Sequence, residues 1–316
     1  MSDSITRLVS DAILTAGGTA DAGSTVLTHV PQPVATPFAS AESVEHDAIQ
    51  AIDVGGTAAA TPPAAFMDGI QRYAVAGRFG LIPVIRGYVA AAVLARHEAE
   101  LWAESCREEE SLIAPISRLP DRAIRGLEDT GMPLHDSGGE RTHPIVDVHL
   151  AGQVVERRRE EMELQVAREY LRHTSSGWLV VDGSTAAVVN LAGAARILGV
   201  VKSHETQYLD GADLWQALTL PAGHRTSVFA RVGAERSMVR TWYLRLWPWE
   251  GRDLLHGLIR LERVGDESVL AEATEVSRWM LAERAPLSAP DGRWDRLIYP
   301  VHQVESYLRA RAGEWL

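Results

Sequence analysis

Between Leu150 and His173 no proline interrupts the chain, and Val155, Met162, Val166 and Tyr170 recur at helical spacing. This predicts a long helix over Leu150–His173, ended by Ser175-Ser176-Gly177. Directly after it comes Trp178-Leu179-Val180-Val181-Asp182-Gly183-Ser184, whose unbroken apolar start is the pattern of a strand buried on both faces. No other feature constrains the fold as strongly. A helix that crosses over into a doubly covered strand returns that strand parallel to an earlier one, nearly always with right-handed sense.

The earlier strand lies upstream. Three strand-like runs, Ala64–Asp68, Ile70–Phe79 and Ile82–Leu94, are separated only by Asp68-Gly69 and Gly80-Leu81, and links this short join antiparallel neighbours. Residues 95 to 145 read as an acidic insertion with short helices, one near Asp121–Asp129, and Glu108-Glu109-Glu110 as a solvated face. Further strands are expected at Ala186–Leu191, Arg196–Lys202, Thr226–Val232, Val239–Trp247 and Leu254–Val264, followed by amphipathic helices at Val269–Arg284 and Tyr299–Arg311. Residues 1–60 differ in character: a short helix, Ile5–Leu14, precedes Ala/Gly/Thr/Ser-rich sequence with Pro31, Pro33 and Pro37. They read as a flexible amino-terminal arm on a main domain of residues 61–316.

Three antiparallel strands, a helix, and a fourth strand parallel to the first are the layout of a ribonuclease H-like α/β fold, a mixed sheet flanked by helices. In that layout Asp68 and Asp182 end adjacent strands at the edge where open α/β sheets place their ligands. Two carboxylates side by side repel one another, and a divalent cation is the usual remedy. A third carboxylate is available on the long helix, where Glu163 shares a face with Val166, Ala167 and Tyr170 and points toward the sheet; Glu156, Glu160 and Glu161 are its rivals. The competing reading of each Asp-Gly pair is a hairpin turn. That reading is weaker for Asp182, because the preceding run is wholly apolar.

Composition narrows the function classes. The chain has 316 residues, 46% hydrophobic and 23% charged, enough to bury its own core without staples. A net charge of −11 speaks against coating nucleic acid by a bulk positive field, yet leaves room for a focused basic channel. No apolar run of eighteen residues exists and the start, MSDSITRLVSDAIL, lacks the pattern of a secretory signal, so a cytoplasmic protein without membrane contact is expected. The single cysteine, Cys106, excludes an internal disulfide and a zinc framework. Of 31 basic residues one is lysine, Lys202, leaving 30 arginines. Either one lysine survived a codon bias by chance, or Lys202 stands where a compact ammonium is needed and a planar guanidinium would not serve.

Two further patterns compete for attention. Ile52-Asp53-Val54-Gly55-Gly56-Thr57 matches a phosphate-binding loop of actin-like sugar kinases, but the Ala/Thr/Pro stretch Ala58–Pro63 cannot continue as a central strand. Trp242, Trp247 and Trp249 could stack on bases; their alternation with arginines favours core packing for most of them.

At this point the sequence resembles the NurA family of nucleases, partners of the HerA-type hexameric DNA translocase. The resemblance rests on Phe66-Met67-Asp68-Gly69, the helical Met162-Glu163-x-x-x-Ala167, Val181-Asp182-Gly183-Ser184, Gly199-Val200-Val201-Lys202-Ser203 and Tyr299-Pro300, in that order between Ala64 and Leu316. It implies a Mn2+ (or Mg2+) dependent deoxyribonuclease, typically a homodimer, that cleaves DNA together with a HerA-type hexameric ATPase in DNA end processing or phage defence. By position it implies Asp68, Glu163 and Asp182 as metal-binding carboxylates, with Lys202 neutralising the scissile phosphate or orienting the water and Tyr299 completing the catalytic set. The family pattern places a histidine two helical turns after this tyrosine, but Tyr307 stands there and the nearest histidine is His302. His302 then serves from a shifted position, or the histidine role is lost. Arg240, Arg245 and Arg260 are expected to grip flanking phosphates, the alternative being plain surface charge. The amino-terminal arm is a candidate contact with the motor. A subunit with the nuclease fold but weak chemistry is the alternative of a different class.

Overall fold

The computed structural model describes residues 2–20, 38–56, 64–97, 100–174, 177–185, 188–191, 194–204, 206–232, 238–284 and 298–312. Its first elements are α1 (Ser2–Thr15), β1 (Thr19–Ala20), β2 (Ala41–Ser43), β3 (Ala51–Asp53), β4 (Ala65–Phe79), β5 (Ile82–His97) and β6 (Glu100–Ala114). There follow α2 (Asp121–Glu128), β7 (Leu134–Asp136), α3 (Pro144–His173), β8 (Leu179–Asp182), β9 (Ile197–Val201) and α4 (Gly211–Leu218). The chain continues with β10 (His224–Thr226), β11 (Phe229–Arg231), β12 (Val239–Arg245), β13 (Leu258–Val264), α5 (Ser268–Ala282) and α6 (Tyr299–Ala312).

One large mixed sheet organises the molecule, with strand order β2-β11-β12-β13-β9-β8-β4-β5-β6-β7. At its centre β4, β5 and β6 are antiparallel, β8 runs parallel to β4, and β9 runs parallel to β8. This is the strand order and direction of a ribonuclease H-like core, and the crossover predicted from the long helix is the link α3 makes between β6 and β8. The helix begins six residues earlier than its apolar pattern suggests. Pro144 occupies its first turn, where a missing N–H costs nothing, and the His143 Nδ1 accepts from the Val146 amide at 3.3 Å.

Two expectations about the first strands need correction. Asp68-Gly69 is not a break: β4 passes straight through it, with Asp68 opposite Ala92 and Gly69 opposite Ala91. Asp68 therefore lies inside a strand, not at its end. The third antiparallel strand is β6, built from the acidic stretch that reads as an insertion. Its charges hide its period because the flanking helices and β5 supply arginines to meet them. Glu109 receives Arg158 at 2.6 Å, Glu110 receives Arg86 at 2.9 Å and Glu108 receives Arg311 at 3.1 Å. The triple glutamate is thus paired in place, not a freely solvated face. The helix near Asp121–Asp129 is α2.

The sheet is covered on both faces. Met162, Val166, Ala167 and Tyr170 of α3 pack with Ala65, Met67, Leu179 and Val181 on one face. Val269, Ala273, Val276 and Met280 of α5 and Val301, Val304 and Leu308 of α6 pack with Phe66, Ile70, Val180 and Val200 on the other. Each fully buried aliphatic side chain contributes about 1.5–3 kcal/mol, so β8 is held from both sides.

The described part of residues 1–60 is ordered into this structure. Val9, Ile13 and Ala16 of α1 are buried with Leu119, Ala123 and Leu127, β1 pairs with β4, β2 with β11 and β3 with β10. Glu45 pairs with the buried Arg225 at 2.6 Å. Residues 21–37, which carry Pro31, Pro33 and Pro37, lie outside the described residues. Downstream, residues 188–191 form a turn where a strand was expected, Thr226–Val232 divides between β10 and β11, and α4 has no counterpart in the sequence reading.

Candidate active site

The parallel register of β4 and β8 sets Met67 beside Val181, so the next residue on each strand is an aspartate, Asp68 and Asp182. Alternation along β4 turns Asp68 to the same face as Phe66 and Ile70, the face covered by α6. β8 ends at Asp182 while β4 continues, which leaves the sheet open beside Gly69. Gly183 takes a φ of 113°, a conformation that favours glycine, and turns the chain away from that gap.

Glu163 reaches the gap from the opposite face. A β-carbon at position 69 would lie 2.2 Å from Glu163 Oε1, so the absence of a side chain at Gly69 is what admits the glutamate. Asp68-Gly69 is a site element and not a hairpin turn; the Gly69 amide donates to Asp68 Oδ1 at 2.8 Å. Of the rivals of Glu163, Glu161 pairs with Arg158 at 2.5 Å, Glu160 lies 3.9 Å from Arg159 with its side chain 58% exposed, and Glu156 acts electrostatically on Tyr73.

Two cations stand among these acids. Lys202, just past the end of β9, places Nζ 2.6 Å from Asp182 Oδ2. Arg159 pairs with Glu163 and donates to Gln71 Oε1 at 3.2 Å. Burial, the facing Asp182 charge, Glu163 and Glu305 push the Asp68 carboxyl well above the usual carboxylate range, with Lys202 opposing them. Burial raises Glu163 to about 7 despite Arg159. Such groups hold protons because water has been removed and their neighbours share their charge.

The arrangement includes a carboxylate that sequence reasoning missed. Glu305 on α6 acts electrostatically on Asp68, accepts from Arg309 at 2.6 Å and lies 3.7 Å from His302 Nδ1. Its signal was its position on the apolar face of α6, between Val301, Val304 and Leu308, where a carboxylate needs a reason. His302 thereby joins the edge of the cluster through Glu305, whereas Tyr299 is 46% exposed at the start of α6.

The three arginines expected to grip DNA are placed otherwise. Arg245 is fully buried, donating to the carbonyls of Leu218 at 2.6 Å and Leu254 at 3.0 Å and to that of His256. Arg260 is buried against Glu262 at 3.0 Å and over the Tyr208 ring. Arg240 is half-buried and helps hold the Asp266 carboxyl below its ordinary range, after the Ser268 amide and hydroxyl. Trp242 is buried and donates to Ser277 at 2.9 Å, as core packing predicts. The Gly55-Gly56 turn follows the three-residue strand β3; the strand a kinase loop would need next falls on residues 57–63, outside those described.

Among the described residues, no three His, Cys, Asp or Glu groups stand close enough to share one metal ion as they are placed; Lys202 pairs with Asp182 and Arg159 with Glu163. The donor chemistry itself, carboxylates at Asp182, Glu163 and Glu305 that act electrostatically on Asp68, with proton affinity raised at Asp68 and Glu163, suits a hard divalent cation.

The chain resembles the NurA nucleases. Among solved structures it is similar to the NurA nuclease from Sulfolobus solfataricus, at 13% sequence identity and a TM-score of 0.48, over 82% of this chain and 81% of that one. No family model and no curated protein matches it. No helix among the described residues is long and apolar enough to cross a membrane.

Proposed function

We propose that this protein is a deoxyribonuclease that hydrolyses DNA phosphodiesters with the help of Mn2+ or Mg2+. The observation that carries the reading is the adjacency of Asp68 and Asp182 on parallel neighbouring strands, with Glu163 of α3 packed against Gly69 and the ammonium of Lys202 in contact with Asp182. Asp68, Asp182 and Glu163 are the residues that would hold the ion. When bound, it supplies the positive charge that an in-line displacement at phosphorus requires.

The chain's own groups do the rest. Asp68 and Glu163, desolvated and mutually repelled, favour a cation over the empty state. Lys202 keeps a compact point charge beside Asp182 and would meet a phosphate oxygen. Glu163 would have to exchange Arg159 for the ion, leaving Arg159 its hydrogen bond to Gln71.

By its resemblance to the family, the protein acts as a homodimer docked on a HerA-type hexameric ATPase, in DNA end processing or phage defence. An acidic chain gains from such a partner, since it lacks the bulk positive field that holds DNA by itself. Purified protein incubated with labelled single-stranded DNA and Mn2+, with and without EDTA, tests the central reading. Cleavage that EDTA abolishes is expected. Absence of cleavage at saturating Mn2+ would favour the scaffold alternative.

A further inference from the structure

We propose that Glu262 is a positioning residue for Asp182: a buried carboxylate that fixes the turn by which the chain leaves β8, from the face of the sheet opposite the acids. The inference rests on the nuclease reading and names what aims one of its metal ligands. Val180 packs in the α6-side core, so alternation turns Asp182 to that face, the face of Asp68. Leu261 of β13 and Leu198 and Val200 of β9 belong to the same core, which turns Glu262 and Gly199, paired in register, to the other face. There the residues that follow Asp182 lie against them.

Glu262 divides its two oxygens. Oε2 accepts from the Ser184 hydroxyl at 2.6 Å and from the Thr185 amide at 3.0 Å, while Oε1 accepts from Arg260 Nε at 3.2 Å and Nη2 at 3.0 Å. Arg260, one of the arginines expected at DNA, instead supplies the counter-charge that lets this carboxylate stay ionised in the interior. Gly199 completes the seat: a β-carbon there would stand 2.7 Å from the Gly183 carbonyl oxygen and 2.9 Å from Thr185 Cγ2. The Gly183 amide also donates to the Val200 carbonyl at 2.9 Å. Three consecutive residues after Asp182 are thus tied to β9 and β13. Glu262 is 3% exposed and Arg260 4%, and a buried ion pair is a poor source of stability, since desolvation offsets most of its attraction. Its place beneath the turn that carries Asp182 points to orientation, as outer partners do for metal ligands generally.

Because Glu262→Gln would leave the buried Arg260 without its counter-charge, the test works through the loop. In the full-length protein, Mn2+ binding is followed by calorimetry without DNA, and cleavage of labelled single-stranded DNA is followed for kcat and KM. Ser184→Ala removes one hydrogen bond at an exposed position. It is expected to weaken Mn2+ binding about tenfold and to lower kcat, with KM for DNA and the melting temperature near wild type. Ser184→Thr, which restores the hydroxyl, should recover both losses. Gly199→Ala keeps every polar group but pushes the loop off β9, and it should weaken Mn2+ binding at least as much; a loss with the hydroxyl intact separates positioning of Asp182 from direct ligation by Ser184. Wild-type Mn2+ affinity and kcat in both Ser184→Ala and Gly199→Ala, beside EDTA-sensitive cleavage by the wild-type protein, would overturn the positioning role and leave the nuclease reading intact. A wild-type protein that neither binds Mn2+ nor cleaves DNA would bring down both.

Discussion

Glu163 Oε1 occupies the place where a β-carbon on Gly69 would stand, 2.2 Å away. A helix carboxylate can therefore lie against the backbone of β4 beside Asp68 only because one strand residue has no side chain. Gly69→Ala should push Glu163 aside and slow DNA cleavage by at least roughly tenfold, since misplacement by about 1 Å is costly in an active site. Because the clash extends to Glu163 Cγ at 2.8 Å and Cδ at 2.9 Å, the whole side chain must leave its pairing with Arg159 and the melting temperature should also fall. Wild-type cleavage by Gly69→Ala would remove Glu163 from the proposed site.

Asp68→Asn and Asp182→Asn are each expected to abolish metal-dependent cleavage. The metal-free stability of Asp68→Asn carries a sign that can be checked. Asp68 binds its proton more tightly folded than unfolded, so its contribution is fully present below its ordinary value of 3.8 and is lost as pH rises through its raised folded value. The asparagine variant escapes that loss. Thermal melts in EDTA should show its advantage over wild type widening toward neutral pH, and a variant that melts lower at pH 7 would contradict the burial and repulsion argued for Asp68.

Lys202→Arg keeps the charge and lengthens the side chain into a planar fork beside Asp182. If Lys202 works as a point charge at a phosphate, cleavage should drop on the order of a hundredfold, with Lys202→Ala at least as slow. Rates compared at equal metal and salt decide the matter; equal rates for wild type and Lys202→Arg would leave the lone lysine an accident of composition.

Arg245 tests the corrected view of the arginines. Its removal strands the carbonyls of Leu218, Leu254 and His256 inside the protein. Arg245→Ala should cost about 2–4 kcal/mol in urea denaturation, while the salt dependence of DNA binding by the folded protein stays at the wild-type slope.

Glu45→Gln tests whether the amino-terminal segment is part of the fold. Burial pushes the Glu45 carboxyl up, but Arg225 and the Val228 amide hold it below its ordinary 4.5 overall. Its contribution is therefore present above that value and is lost as pH falls through the lowered one. The substitution should cost about 3 kcal/mol at pH 7, because it leaves the buried Arg225 without its counter-charge. The difference from wild type should shrink in acid. A loss below 0.5 kcal/mol, roughly that of an exposed pair, would mean that the segment is loosely attached.

The sequence by itself determined the central architecture, because periodicity and burial are local signals. The helix over Leu150–His173, the doubly apolar run before Asp182 and the strands of Ile70–Leu94 could be read from side-chain spacing, and right-handed crossover then set β8 beside β4. It also pointed to Asp68, Glu163, Asp182 and Lys202, each marked by an unusual neighbour: a glycine, an apolar helix face, an apolar strand, a background of arginine. What only the tertiary structure decided are matters of pairing between distant segments. The charged strand β6 is a strand because α3, β5 and α6 bring Arg158, Arg86 and Arg311 to its glutamates, and no window of sequence contains those partners. Arg245 and Arg260 are interior because carbonyls and a carboxylate from other parts of the chain meet them. Glu305 shares a face with Asp68 because α6 lies across β4, a contact between residues more than two hundred positions apart. Burial of charge is affordable only where its counter-charge arrives from elsewhere in the fold, so charged positions are the ones that a local reading assigns wrongly.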